Sequence, residues 1–186
     1  MGLHAGESIE LRQAYKDPKT SLPLCPLPGT SVKVKVLSED EATTHLIETS
    51  MDLVTLDGGT SSGGNTDSAL KDSTKNWPVN KFKDKCIKIT NGQGVGQERR
   101  IKSNTATELT LYAESASTDA PTALRKWATT PDNTSVYQVH EAEYKKTWDS
   151  PTSLKDTVVK QVVTAKDPAY PNGVVSKTRL HLEGTT

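Results

Sequence analysis

The run Gly-Gln-Gly-Val-Gly at residues 92–96 has the composition of a loop that could hold a phosphate group. A phosphate loop needs a strand before it and a helix after it, because N–H groups at the start of the helix bind the phosphate. A strand pattern does precede the run at residues 86–90, but residues 97–102 read as a second strand. We therefore interpret the run as a hairpin turn in which glycine supplies positive φ angles. The glycines of this turn are Gly92, Gly94 and Gly96.

The residue types that most often perform catalysis or bind metals form no site in the sequence that we would recognise. The four histidines are scattered, and none has a second ligand at the spacing of a zinc site. We expect no nucleophile elbow of the G-x-S-x-G type, and the carboxylates follow no acid–base pattern. The chain is therefore expected to be no enzyme, with no catalytic residue, no metal and no cofactor. A small hydrolase with paired carboxylates is kept as a third hypothesis.

Seven lysines and arginines between residues 81 and 102 could form a basic surface. A nucleic-acid site would also need aromatic rings for base stacking, and only Trp77 and Phe82 lie near these cations. The formal net charge is zero, whereas nucleic-acid-binding proteins usually carry a basic excess. We expect a solvated outer face, or a face that meets an acidic partner, and no nucleic-acid partner. The cations are Lys81, Lys83, Lys85, Lys88, Arg99, Arg100 and Lys102.

Three aromatic residues admit two interpretations. Trp77, Trp127 and Tyr137 could form a sugar-stacking platform, or they could pack together as the core of a small β domain. Rings at the two ends of such a domain most often meet in its interior, so we favour the core. A carbohydrate platform is the main competing interpretation.

The two cysteines, Cys25 and Cys86, lie 61 residues apart and show neither a disulfide framework nor a metal knuckle. Cys86 falls in an alternating strand, where a small core residue fits. Cys25 falls in a segment with a proline on either side, at Pro23 and Pro26. A reducing cytoplasm argues against a disulfide between them, although the sequence permits one.

Strand patterns and turns dominate the rest of the chain. Residues 31–36 alternate apolar and basic side chains, and residues 42–47 fit either a short helix or a second extended run. Hydrophobic residues make up only 33% of the chain, so the core must be modest. No apolar run approaches the length of a membrane span, and no membrane partner is expected. Further strand patterns occupy residues 51–56, 86–90, 97–101, 108–112, 135–139, 158–163 and 174–183.

These patterns predict a mainly β fold, a small β-sandwich or barrel-like module with extended N- and C-terminal arms. Four prolines before residue 30 forbid a regular helix there. The leucines between these prolines would lie along an extended, polyproline-like ribbon. Such a ribbon cannot bury them within itself, so they would contact their own domain or a neighbour. These assembly residues are Leu22, Leu24 and Leu27. The predicted divisions are an arm (1–30), strands joining the core (31–56), a Gly/Ser linker or loop (57–66), the β module (67–140) and C-terminal strands with an arm (141–186).

The segment from residue 70 to 139 resembles a β module that recurs in virion structural proteins of tailed bacteriophages. The resemblance rests on the order of Trp77, Phe82, the strand at 86–90, the glycine turn, the Leu-Thr-Leu run at 109–111, Trp127 and the run Pro-Asp-Asn-Thr-Ser-Val-Tyr at 131–137. Cys86 departs from the family pattern, which has a valine-like residue there, and residues 113–123 are more polar than the pattern. We predict that the module core consists of Trp77, Phe82, Ile87, Ile89, Ile101, Leu109, Leu111, Trp127, Tyr137 and Val139.

The resemblance implies a non-enzymatic structural protein of a tailed-phage virion. It would stabilise or connect subunits as a capsid decoration, neck/collar or tail component, through the β module and the arms. Its partners would be other virion proteins and further copies of itself, because symmetry multiplies weak contacts. It would be made in the cytoplasm of the host bacterium and end in the virion. The alternative is a carbohydrate-binding β module of a fibre or adhesin.

Overall fold

The computed structural model describes residues 3–14, 25, 30–112, 126–167 and 170–183. These residues form twelve β-strands and one 3₁₀ turn at Thr152–Leu154, with no α-helix among them. The prediction of a mainly β fold is confirmed. In this described part of the chain, no helix is long and apolar enough to cross a membrane. The chain divides into two compact units.

The first unit takes its described residues from 3–13, 30–52 and 144–183 and contains a five-stranded sheet. The order in this sheet is β1–β12–β11–β3–β4, and only the β1–β12 pair is parallel. The bounds are Leu3–His4 for β1, Ser31–Ser38 for β3, Thr44–Ser50 for β4, Thr157–Asp167 for β11 and Tyr170–Glu183 for β12.

Strand β3 shows why this sheet forms. Val32, Val34 and Val36 are buried while the intervening lysines are not, as the period-two alternation predicts for a half-buried strand. Residues 44–50 form an antiparallel strand beside β3, so the extended alternative is the one that occurs. Glu41, with φ of 63°, lies in the turn between them, where Ser38 accepts its N–H.

Residues 3–14 lie in the expected N-terminal arm, and residues 170–183 lie in the stretch expected as C-terminal strands and an arm. Both segments are extended and have strand partners within the chain. β2 (Ser8–Ala14) pairs with β10 (Val136–Asp149), of which residues 144–149 belong to the first unit. Just before β2, the Gly6 N–H donates to the Ser150 carbonyl oxygen at 3.0 Å. β12 pairs with β11 along nearly its whole length. The terminal strands are therefore paired within sheets.

The second unit is a barrel-like sheet of six strands in the order β5–β10–β7–β8–β9–β6. Just after β5, the Ser62 N–H donates to the Lys71 carbonyl of β6 at 2.9 Å, so the first and last strands meet. The unit uses residues 136–143 of β10. The other bounds are Asp52–Thr60 for β5, Ala69–Lys71 for β6, Cys86–Asn91 for β7, Glu98–Asn104 for β8 and Glu108–Leu111 for β9.

Strand β5 enters the stretch predicted as a Gly/Ser linker, because it continues through Gly58 and Gly59. A Cβ on Gly58 would lie 2.9 Å from the Tyr137 carbonyl, and one on Gly59 would lie 2.6 Å from Asp72 Oδ2. Glycine at both positions lets β5 approach the sheet this closely. Gly58 and Gly59, two of the glycines that suggested flexibility, therefore serve close packing.

The run at residues 92–96 is the turn between antiparallel β7 and β8, as the sequence indicated. Gly92, Gly94 and Gly96 have φ angles of 75°, 82° and 87°, in the left-handed region that favours glycine. Gly92 also has no room for a side chain, because a Cβ would lie 2.0 Å from the Thr134 carbonyl oxygen. The turn thus packs directly on the chain that leads into β10.

Gly92→Ala should destabilise the protein more than Gly64→Ala, a matched control. Both glycines have positive φ, but a Cβ at Gly64 would meet nothing within 4 Å. The control should lose about 1–2 kcal/mol from left-handed strain alone, whereas Gly92→Ala must also displace the Thr134 backbone. Urea denaturation measures both free energies of unfolding. Equal losses would show that the close contact at Gly92 contributes nothing.

Candidate functional site

The ten residues predicted as the module core form one buried cluster together with Leu70. Within it, Trp77 is edge-on to Phe82 at 5.5 Å and to Tyr137 at 6.5 Å between ring centroids. Trp77 and Trp127 are only 5% and 4% exposed. A sugar-stacking platform needs exposed ring faces, and neither indole offers one.

A network of charged and polar groups joins this core to β5. The Trp77 Nε1–H donates to Asp57 Oδ2 at 2.7 Å, and Lys75 Nζ lies 2.8 Å from Asp57 Oδ1. The Tyr137 hydroxyl donates to Asp72 Oδ2 at 2.7 Å, and Thr74 donates to Asp72 Oδ1. Each carboxylate is thus held by a ring of the core and by a second donor.

The pKa shifts in this network indicate a structural role. Burial acts to raise the pKa of Asp57, but the donors Lys75 and Trp77 outweigh it and lower the pKa. Burial also acts to raise the pKa of Asp72, but hydrogen bonds from Thr74 and Tyr137 outweigh it and lower the pKa. The pKa of Tyr137 is raised by burial and by its hydrogen bond to Asp72. Paired catalytic carboxyls usually have opposed shifts, with one pKa raised so that it can donate a proton. Both of these are lowered, as expected for fixed hydrogen-bond acceptors.

The sequence does contain a G-x-S-x-G pattern at residues 59–63, contrary to our expectation. A nucleophile elbow places its serine at a sharp turn between a strand and a helix, with the hydroxyl exposed. Here Ser61 is 3% exposed, follows β5 and accepts from the Gly63 N–H and Asn65 Nδ2. The serine therefore shapes the loop after β5 and has no elbow geometry.

The seven cations do not form the solvated face that the sequence suggested. Arg99 and Arg100 are 4% and 9% exposed, with their guanidinium groups over the rings of Trp127 and Tyr112. Arg100 also contacts Asp84 at 3.0 Å, and Lys85 contacts Glu141 at 2.6 Å. Lys81 Nζ lies 5.0 Å from the centroid of the Phe82 ring, so contacts within the unit involve four of the seven cations. Lys83 and Lys102 are exposed, and Lys88 is half-buried.

Cys25 and Cys86 form a disulfide with a Cα–Cα distance of 5.5 Å, so our expectation of unbonded cysteines was wrong. The two residues belong to the same unit, and β7 carries Cys86 into its interior. Cys25 and Cys86 are 5% and 0% exposed and share a small buried cluster with Ala142. The bond therefore attaches residue 25 to the wall of the barrel-like sheet.

A buried carboxylate and imidazole lie beside the disulfide. His140 Nε2 and Glu98 Oε1 are 2.8 Å apart, with side chains 1% and 2% exposed. The His140 Nδ1–H donates to the Glu141 carbonyl at 2.7 Å, because a carbonyl can only accept. One carboxylate oxygen of Glu98 and the two sulfurs lie within 4.8 Å of one another.

Sequence reasoning missed this cluster and the Asp57–Asp72 network. The first four residues of β8, from Glu98 to Ile101, are all buried, so alternation gave no signal for Glu98. His140 is buried next to buried Val139, which also breaks the alternation. The proposed assembly residues Leu22, Leu24 and Leu27 lie outside the described residues.

Comparison with known proteins adds no relative. No protein-family model, no curated protein and no solved structure matches the chain.

Asp57→Asn should reduce stability at neutral pH and flatten its decline in acid. The folded pKa of Asp57 is lowered, so its contribution is complete above the unfolded value of about 4 and is lost as pH falls through the folded value. We expect a loss of about 1–3 kcal/mol at pH 7, from hydrogen bonds to a charged group. Urea denaturation between pH 2 and pH 7 measures this. A variant with the parent's slope in acid would contradict the role given to Asp57.

Cys25→Ser should destabilise the protein by about 4 kcal/mol, the chain-entropy value for closing a loop of this length. The bond joins residues separated by 61 positions. Denaturation with and without a phosphine reductant measures the effect. The reductant should weaken the parent and leave Cys25→Ser unchanged. A parent that is insensitive to complete reduction would contradict a stabilising cross-link.

Proposed function

We propose that the protein is a non-enzymatic structural component of a tailed-phage virion. It would stabilise or connect subunits in the capsid, the neck/collar or the tail. Its partners would be other virion proteins and further copies of this chain. Support comes from the resemblance over residues 70–139, because the large apolar residues that help to carry it pack as the core of one folded unit.

The observation that carries the proposal is the edge strand β4. This strand pairs with β3 on one side and ends the sheet on the other, among the strands that the structure describes. Its Ile47 is 81% exposed, more than any other large apolar residue of the described chain. An open edge with an exposed isoleucine can accept a further strand, and proteins that must stay monomeric usually block such edges. Edge pairing between subunits is a suitable way to connect them.

The disulfide supports an assembly role for the segment before β3. Residue 25 is covalently attached to β7. A neighbouring subunit that bound Leu22, Leu24 or Leu27 would therefore hold a segment that the disulfide attaches to the barrel-like sheet. Such an attachment suits a protein whose function is to carry mechanical and assembly contacts. No observation favours the carbohydrate-binding alternative, since Trp77 and Trp127 are buried.

The proposal is tested by the protein content of purified particles. Virions from cells that carry the gene are isolated on a density gradient and digested for quantitative mass spectrometry. The chain should be present at a fixed number of copies per particle. A chain that is abundant in the lysate but absent from the particles would overturn the proposal.

Ile47→Lys should reduce incorporation into particles by at least tenfold while leaving the fold intact. A lysine on an edge strand opposes pairing with another chain. The matched control is Val79→Lys, since Val79 is 73% exposed but lies outside any strand. Circular dichroism checks the fold of both variants, and immunoblotting of gradient-purified particles measures incorporation. Equal incorporation of the two variants would exclude β4 as the contact.

A further inference from the structure

We propose that reduction of the Cys25–Cys86 disulfide creates a binding site for one zinc-type divalent cation. Its ligands would be the two cysteine thiolates and the Glu98 carboxylate. This inference stands on the geometry of the second unit and does not depend on the proposed function. It also revises our expectation that the chain holds no metal site, which considered only ligand spacing along the sequence.

The distances between the donor atoms suit such a cation. The two sulfurs and a Glu98 oxygen all lie within 4.8 Å of one another, and all three residues are buried. Zinc binds sulfur at about 2.3 Å and carboxylate oxygen at about 2.0–2.2 Å, so its tetrahedral ligands are about 3.3–3.8 Å apart. Once the S–S bond is broken, the sulfurs must separate, whereas the carboxylate oxygen already lies within 4.8 Å of both sulfurs.

Unsatisfied polar atoms provide a second, independent observation. Among the described residues, Glu98 Oε1 and His140 Nε2 have no well-directed hydrogen bond, although both are fully buried. Such atoms are costly in a folded protein and usually have a partner. A cation beside the carboxylate would supply a partner for Glu98. His140, 2.8 Å from Oε1 and fixed through Nδ1 to the Glu141 carbonyl, would orient the ligating carboxylate as outer-shell histidines and carboxylates do.

The chemistry balances with a named reductant. A dithiol of the thioredoxin class gives two electrons and two protons to the disulfide, yielding two thiols and its own disulfide. The cation then displaces the two thiol protons to solvent as both sulfurs bind. Two thiolates and one carboxylate carry three negative charges against two on the cation. A water completes the fourth position.

The donor set defines the class of cation. Thiolates select zinc and other borderline-soft ions over magnesium and calcium, which prefer oxygen ligands. Both states of the site would attach residue 25 to β7, one through a covalent bond and the other through the metal. The attachment would then persist in a reducing compartment, where a disulfide is rarely maintained.

The test compares the reduced and oxidised parent chain. Protein reduced with a trialkylphosphine, which becomes the phosphine oxide with oxygen from water, is freed of reductant under anaerobic conditions. Zinc is then titrated against a colorimetric chelator. We expect one equivalent per reduced chain and at least hundredfold weaker binding to the oxidised chain. If reduction unfolds the protein, zinc should restore the native circular dichroism spectrum. Equal binding by both forms, or failure to refold, would overturn the proposal.

Glu98→Gln should weaken zinc binding by the reduced chain by about 10–100-fold. The matched control is Glu108→Gln, in the neighbouring strand and paired with Lys71, which should bind as the parent does. Unchanged affinity in Glu98→Gln would overturn the assignment of the carboxylate. Cobalt(II) provides a readout without any variant, because thiolate-to-cobalt charge-transfer bands must appear with one equivalent. Their absence would overturn the site as a whole.

Discussion

The packing of Trp77 against Phe82 and Tyr137 is the contact on which the second unit depends. The chain has a single phenylalanine and a hydrophobic content of 33%, so a few large rings must supply much of the buried apolar area. Trp77 and Tyr137 also carry polar atoms into the core, and each is matched by a carboxylate, Asp57 or Asp72. The same rings therefore provide both the apolar core and the hydrogen bonds that attach β5 and the loop after β6.

The local features of this fold could be predicted from the sequence, and the distant ones could not. Alternation identified β3, and the glycine run identified the β7–β8 turn, because both depend on neighbouring residues only. The Cys25–Cys86 bond joins residues that only the completed sheet brings together. Gly58 and Gly59 suggested a linker by composition, but their role is set by Tyr137 and Asp72, which are distant in sequence. Core membership was predictable because large apolar residues in strand patterns have few alternatives to burial.

Two kinds of polar cluster lie in the second unit, and they differ in completeness. In the Asp57–Asp72 network, each carboxylate accepts from two side chains, and the lowered pKa values follow from those donors. The Glu98–His140 pair has a short contact but no well-directed hydrogen bond at Oε1 or Nε2. A complete network contributes stability and specificity. An incomplete network leaves buried polar atoms without partners, so a ligand that supplies a partner gains the most binding free energy there. This contrast is the reason to give the first cluster a role in the stability of the fold and to propose cation binding at the second.

The measurement that tests this account most directly is the free energy of unfolding of Trp77→Ala. If the packing of Trp77 holds the core together, the substitution should cost about 3–5 kcal/mol, the range for a large aromatic residue removed from a core. Val79→Ala, at an exposed position two residues away, should change stability by less than about 0.5 kcal/mol. A Trp77→Ala variant as stable as the parent in urea denaturation would contradict the account and favour a ring that serves a ligand.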